Sequence, residues 1–424
     1  MSSTIPQGKL ARSRVAGVAA LKVSARTIQH KVKRPFMSDS AKTSSQQDMH
    51  DKNAEVLFKA LVQLRGTALK VAQMIGMEQG LLPESYRKEL EKSFHRVPPL
   101  NRVLVNKTIK QSLGKLPNEL FDSFETKAFA AASLGQVHRA KIGTRQVAVK
   151  VQYPGVHVAI KSDLAMLRTV ARGLSNQHLI LQSLEEIEAR LIEEVDYLKE
   201  AHNTQWFRQH VDMPGIHIPA VCEDLTSERV ITTAYIDGGL HLDDWLATCP
   251  SQTTRNKVAQ RLFDFFGYST HKLKCLHADP NPGNYLFHKD GSITVIDFGC
   301  VRHLSDQFLE AYPKLLKAYI KDDPDSLFPA YEAIGMHYEN PEEIYPQVLR
   351  GFGQWISEPF RSNTFDFAKH ADYTQRGKEP MKNMHNSIKV NRIAEEFIFH
   401  NRTYYGLLQI FEKMGATVSM NAHL

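Results

Sequence analysis

Apolar residues recur at spacings of four and three through Leu57, Leu61, Leu64, Ala68, Val71 and Ile75, which predicts an amphipathic helix that stops near residues 80–83, "GLLP". At about 100° per residue, Gly66, Lys70, Gln73 and Met77 fall together on the opposite side. A Gly, a Lys and a Gln in line let such a helix lie close against something and reach into it; a helix packed on two sides is the plainer reading. Residues 124–155 switch to alternation of period two broken by turn residues, which predicts a small antiparallel sheet. In "QVAVKVQ", Val147, Val149 and Val151 share one face, and Ala148 and Lys150 the other. A lysine in mid-strand is either an edge guard against aggregation or, after a turn-rich loop, a phosphate ligand. One long helix is predicted over residues 179–210, burying Leu184, Ile187, Leu191, Val195 and Leu198 and carrying many acids on a largely solvated face. "RVITTAYIDGG" reads as a strand that enters a glycine-containing connector. The chain from residue 242 is mainly helical, interrupted by "LHADPNPGNYLFHKDGSITVIDFG" at 276–299.

Composition narrows the class. The chain has 424 residues and a formal charge of +7, enough for two or three folded units of about 150 residues. Its first 36 residues hold eight Lys or Arg and no Asp or Glu, so the remainder is close to neutral and the basicity belongs to one segment. A nucleic-acid binder spreads its basic residues over a folded face, often between aromatics, and that pattern is absent. The stretch "ARSRVAGVAALKVSARTIQHKVKR" is read either as a basic amphipathic helix for an anionic membrane surface or as an Arg-rich import sequence, with a solvated tail as the bland reading. Residues 37–52 are polar and Ser-rich, a linker. No apolar run of about 18 residues is present to span a bilayer. Cys222, Cys249, Cys275 and Cys300 form no C-x-x-C; a reducing compartment and four small buried hydrophobes are expected.

Phosphoryl transfer needs one carboxylate to receive or orient the nucleophile, and a second with a carboxamide to hold magnesium against phosphate oxygens. Asp279, Asn284 and Asp297 supply that set. Pro280 and Pro282 cannot donate backbone hydrogen bonds and stiffen the chain, so "DPNPGN" is a rigid loop that aims Asp279 and Asn284. "KDG" is a hairpin turn, and "SITVIDFG" is an apolar strand that delivers Asp297 at its end. Asp-x-x-x-x-Asn followed by a strand and D-F-G matches the protein-kinase signature, and the elements stand in kinase order: loop, V-A-V-K strand, acidic helix, connector, catalytic loop, D-F-G.

Further motifs narrow the resemblance. "AFAAASLGQVHRA" resembles the alanine-rich loop of the UbiB, or aarF-domain-containing, atypical protein-kinase-like family. "EEVDYLKEA" is similar to that family's E-x-D segment, "HADPNPGN" to its catalytic loop, and "RGTALKVAQMIG" to its K-x-G-Q helix, with similarity over residues 8–405. The resemblance implies an α+β, two-lobed protein-kinase-like fold with an added N-terminal helical extension. Its parts would be a basic segment (1–36), a linker (37–52), the extension (53–118), an N-lobe (119–238) and a helical C-lobe (239–424). It implies that Lys150 contacts the α and β phosphates of ATP and pairs with Glu200, that Asn284 and Asp297 bind Mg²⁺, and that Asp279 stands where kinases have their base. Ala130, Ala131, Ala132 and Ser133 would cover the nucleotide, and Thr233, Ala234 and Tyr235 would lie near the adenine. Lys70 and Gln73 would enter the site as regulatory groups and meet Glu194 and Asp196. In a regular helix those two acids point about 200° apart, so both reach Lys70 only if the helix is distorted. The sequence departs from the family at Ala72, where the motif has Gly, and at Asn281, where the loop commonly has His.

After Gly299 only a few residues precede Ser305, which reads as the cap of a helix "DQFLEAYPKLLKAY", and there is no A-P-E. Without an activation loop as a peptide platform, protein phosphorylation is not expected. The expected activity is Mg-ATP binding with hydrolysis, or phosphorylation of a small or lipid-like molecule, in support of ubiquinone (coenzyme Q) biosynthesis. Expected partners are an anionic membrane surface, an isoprenoid or quinone-like lipid and quinone-biosynthesis proteins, with no nucleic acid. Location would be the cytoplasm or inner-membrane periphery of a bacterium, or the mitochondrial matrix. The alternatives are a small-molecule phosphotransferase of the aminoglycoside or choline kinase type, and a nucleotide-gated lipid-binding chaperone.

Overall fold

The computed structural model describes residues 9–33, 101–132, 134–171, 177–338, 340–387 and 395–421, with positions 45, 49, 52, 53 and 56. The expected helix bearing Gly66, Lys70, Gln73 and Met77 lies outside these residues, as does Ser133. The chain divides into two compact units, Met1–Tyr197 with Asp224–Thr232, and Leu198–Glu223 with Thr233–Leu424.

The first unit opens with α1 (Lys9–Lys33), the helix that its basic amphipathic pattern predicts. Val23 is buried, while Val18, Leu21, Ile28 and Val32 are exposed. Helix α2 (Arg102–Leu113) starts at Asn101, whose side chain accepts the Leu104 N–H at 3.0 Å and so satisfies a donor that the first turn cannot. The alternating segment forms β1 (Ser123–Phe124), β2 (Ala130–Ala132), β3 (Gly135–Ile142) and β4 (Arg145–Gln152). With β6 (Val230–Ala234) these make a five-stranded sheet of order β1-β3-β4-β6, β2 pairing with β3; β5 (Ile216–His217) belongs to another sheet. Val147, Val149 and Val151 are buried and Ala148 and Lys150 only partly, as the alternation predicts. Helices α3 (Val156–Ala171) and α4 (Gln177–Glu194) pack Ile160 and Leu164 against Leu184, Ile187 and Leu191, with Val195 just past α4 in the same cluster, each such burial contributing about 1.5–3 kcal/mol.

The expected single helix over 179–210 is two. α4 ends at Glu194 and α5 begins at Tyr197, running to His210. The break is supported from a distance: the Gln152 side-chain amide donates to the Val195 carbonyl at 2.8 Å, replacing a helical bond. The interruption shifts the helical phase, so Leu198 is 49% exposed instead of continuing the buried stripe. It also falls between Glu194 and Asp196, so the two acids do not lie on one regular helix.

The second unit holds two short sheets that carry the loops of interest. Strands β5, β8 (Tyr285–Phe287) and β9 (Ile293–Val295) form one, of order β5-β9-β8, and β7 (Cys275–His277) pairs antiparallel with β10 (Val301–His303) in the other. Around them stand α6 (Gln252–Gly267), α7 (Asp306–Lys321) and α8 (Glu395–Met414), with Phe263, Phe308 and Phe411 buried in one aromatic-rich core. Ser305 caps α7 as expected, its Oγ accepting the Phe308 N–H at 3.2 Å. Of the four cysteines only Cys275 is buried, where desolvation pushes its thiol up to about 11; Cys222 and Cys300 are half-buried and Cys249 is exposed.

Candidate functional site

The stretch at 276–299 folds as two strand ends joined by a braced turn. After β7 the chain passes Asp279 and Pro280 into a single 3-10 turn, Pro282–Asn284, and then β8. Asn281 opens that turn: its Oδ1 accepts the Gly283 N–H at 2.9 Å and its carbonyl accepts the Asn284 N–H at 2.9 Å. Asn at this position is therefore a structural cap.

The hydrogen bonds of Asn284 draw the three polar residues together. Its Nδ2 donates to Asp279 Oδ2 at 2.7 Å and to the Asp279 carbonyl at 3.3 Å, while its own carbonyl accepts the Ile296 N–H at 2.9 Å, one residue before Asp297. A carboxylate can only accept, so the amide nitrogen must face Asp279 and Oδ1 is turned away from it. Asp297 follows β9 and its Oδ1 accepts the Gly299 N–H at 2.9 Å. Among the described residues no group of three His, Cys, Asp or Glu forms a cage for a metal. A carboxylate with a carboxamide oxygen suits Mg²⁺, which keeps several waters and takes phosphate oxygens, so these donors fit the ion.

Two residues that sequence reasoning missed hold the D-F-G segment. His277 is buried, with Nε2 2.7 Å from the Asp297 carbonyl and Nδ1 3.5 Å from the Tyr285 hydroxyl. A carbonyl only accepts, so Nε2 carries the proton and Nδ1 receives the phenol O–H. Burial, and then the Asp279 charge, push the Tyr285 phenol far above its ordinary value and keep it a donor. The Phe298 ring packs 4.8 Å from Phe207 and edge-on to His277 at 5.2 Å, and its carbonyl accepts from Asn203 Nδ2 at 2.9 Å. Asn203 and Phe207 lie on α5 at i+3 and i+7 from Glu200, on the same side of the helix. Glu200 is buried in the first turn of α5. A polar residue inside an apolar strand, His277 in "CLHAD", was the available signal.

In the first unit, Lys150 projects from β4 opposite Val137 of β3, with Nζ 4.9 Å from the centre of the Tyr197 ring, a cation–π contact. Ala130, Ala131 and Ala132 are strand residues paired with Val137, Gln136 and Gly135. A Cβ on Gly135 would lie 2.5 Å from the Val151 carbonyl oxygen and 2.8 Å from the Tyr197 hydroxyl, so only glycine fits. Glu194 ends α4, and Asp196 directly precedes α5. In the second unit Thr233 bridges to Val221, and the Ala234 N–H donates to the Ala220 carbonyl at 2.8 Å, leading to Tyr235.

A loop Asp held by an Asn five residues later and backed by a strand ending in D-F-G in one unit, and an antiparallel sheet with a mid-strand lysine in the other, together define a protein-kinase-like protein. Residues 92–330 match the ABC1 atypical kinase-like domain, and the chain belongs to that family. The UbiB/aarF resemblance read from the motifs is thereby borne out. The chain is 32% identical over 310 residues to the mitochondrial atypical kinase COQ8B of Rattus norvegicus, covering 70% of this chain and 55% of the relative. Against the mitochondrial atypical kinase coq-8 of Caenorhabditis elegans it is 27% identical over 404 residues, covering 91% and 51%. The chain thus spans about half the length of these curated relatives. Among solved structures, Rv3197 of Mycobacterium tuberculosis in complex with erythromycin superposes with a TM-score of 0.63 at 25% identity, covering 90% of this chain and 97% of that one.

Proposed function

We propose that this chain binds Mg-ATP and either hydrolyses it or transfers its terminal phosphoryl group to a small or lipid-like acceptor. The observation that carries the reading is the Asn284 amide, which donates to Asp279 while its backbone carbonyl is tied to Ile296 beside Asp297. Asn284 Oδ1 and Asp297 are the magnesium ligands in this reading, and Asp279 orients the attacking hydroxyl or water. Magnesium, when bound, neutralises charge on the phosphate oxygens. Lys150 contacts the α and β phosphates and pairs with Glu200; residues 130–133 cover the nucleotide, and Thr233, Ala234 and Tyr235 border the adenine. Lys70, Gln73, Glu194 and Asp196 form the regulatory set.

The short span between β10, which ends at His303, and α7, which starts at Asp306, leaves little chain for a peptide-binding platform and supports an acceptor other than a protein. Support of ubiquinone biosynthesis in the mitochondrial matrix, or its counterpart at a bacterial inner membrane, is proposed from the mitochondrial relatives. No helix of the described residues is long and apolar enough to cross a membrane. α1 instead offers Val18, Leu21, Ile28 and Val32 as an exposed apolar line on a helix without acids, which suits an anionic membrane surface. The erythromycin complex of the Mycobacterium protein favours a second reading, a nucleotide-gated binder of a bulky apolar molecule such as an isoprenoid lipid.

The test is Mg-dependent ATP hydrolysis with and without anionic liposomes. Turnover in the wild type that Asp297→Asn abolishes supports the first reading. Isoprenoid lipid copurifying with a protein that binds ATP without hydrolysing it supports the second.

A further inference from the structure

Helix α8 touches the chain on both sides of the metal-binding segment. At its middle, Gly406 lies against the catalytic loop: a Cβ built there would stand 2.3 Å from Pro280 Cγ and 2.5 Å from Pro280 Cβ. Pro280 follows Asp279 directly, and its closed ring has no flexible end to swing aside, so any side chain at residue 406 has to displace the loop backbone. At its first turns, the same helix grips the chain that leaves D-F-G. The Glu396 carboxylate accepts the Ser305 N–H and, at 3.1 Å, the Ser305 hydroxyl. Glu395 pairs with Arg302 at 3.4 Å, and the Arg302 guanidinium sits 4.0 Å over the Phe399 ring. Arg302 stands opposite Leu276 in the β7–β10 ladder, so this grip reaches the strand that feeds Asp279. Glu396 and Gly406 are about 15 Å apart along the axis at 1.5 Å per residue, the reach of one stiff rod.

We propose that α8 braces the catalytic loop in the place of an activation loop, with Gly406 as the positioning residue that sets Asp279. The inference rests on the role given above to Asp279. In kinases, the activation loop after D-F-G controls whether the catalytic groups are in place; here that chain is a three-residue strand and a helix cap, and α8 contacts the catalytic loop instead. A methyl group at 406 pushes Pro280, and with it Asp279, away from the Asn284 amide. A misplacement of this size lowers turnover without removing a reacting group.

The expected result for Gly406→Ala is a folded protein whose kcat for Mg-ATP hydrolysis falls about 10- to 100-fold, with a smaller change in KM. Gly353→Ala is the control: its Cβ would meet the Tyr319 ring at 1.9 Å, an overpacking at least as severe among helices that carry no site residue. That variant loses thermal stability and keeps its kcat at low temperature. A readout independent of catalysis is hydrogen exchange at the amides of Asn284 and Ile296, which close the loop onto Asn281 and Asn284. Exchange there accelerates in Gly406→Ala and stays at the wild-type rate in Gly353→Ala. Wild-type exchange at both amides in Gly406→Ala, or equal kcat losses in the two glycine variants, overturns the brace. A wild-type protein without ATP turnover contradicts the first reading of the proposed function, and the exchange comparison still decides the brace.

Discussion

The Asn284 side chain commits its N–H to Asp279, which turns its oxygen away from that carboxylate, and this oxygen is the one the proposed function gives to magnesium. Asp297, whose Oδ1 is bonded to the Gly299 amide, is pinned in the same way. Asp297→Asn keeps that bond through an amide oxygen but removes the negative charge that the proposed function sets against magnesium; Mg-dependent turnover is expected to fall by a factor of about 100 or more, with an unchanged unfolding midpoint in a thermal melt. His277→Ala leaves the Tyr285 hydroxyl and the Asp297 carbonyl without their partner, a cost of about 1–3 kcal/mol, to be read from denaturant midpoints. The polar triad was legible in sequence because its members lie within one short stretch and have fixed chemistry. His277 and Asn203 were not, since each bonds a backbone carbonyl, and a carbonyl has no sequence identity.

At the scale of elements, local signals held where the stabilising contacts are local. The valines of β4 alternate as written, and Ser305 caps its helix. The break between α4 and α5 was hidden because the group that supports it, Gln152, is 43 residues away. The approach of α8 to Pro280 was hidden for the same reason. Helix α8 carries a pH signature of its own. His400 is enclosed by Tyr312 at 4.1 Å and Phe266 at 5.0 Å, and desolvation lowers its pKa from 6.5 to about 3. The unfolded imidazole takes a proton near 6.5 and the folded one only near 3, so between these values the unfolded state binds more protons. Stability is therefore expected to fall, by on the order of a few kcal/mol, as pH drops from 6.5 toward 3. His400→Phe removes that part of the slope in denaturant titrations repeated across the same range.

For the whole molecule, the basic segment is expected to be separable from the proposed nucleotide chemistry. The charge of the first 36 residues is confined to them, and α1 presents its apolar line outward. Deleting residues 1–36 is expected to abolish sedimentation with anionic liposomes at low salt while Mg-ATP hydrolysis in solution persists; liposome binding by the truncated chain would remove the membrane role of α1. The family was legible because four motifs stand in order along one chain. The acceptor was not, because no residue pattern in this sequence names one.

The central claim is that Asn284 and Asp297 hold one magnesium ion on ATP beside Asp279. The direct measurement is a crystal structure with magnesium and a non-hydrolysable ATP analogue. The account predicts a single ion about 2.1 Å from Asn284 Oδ1 and from an Asp297 carboxylate oxygen, bridging the analogue's phosphates. A nucleotide bound with its metal out of reach of both side chains would contradict it.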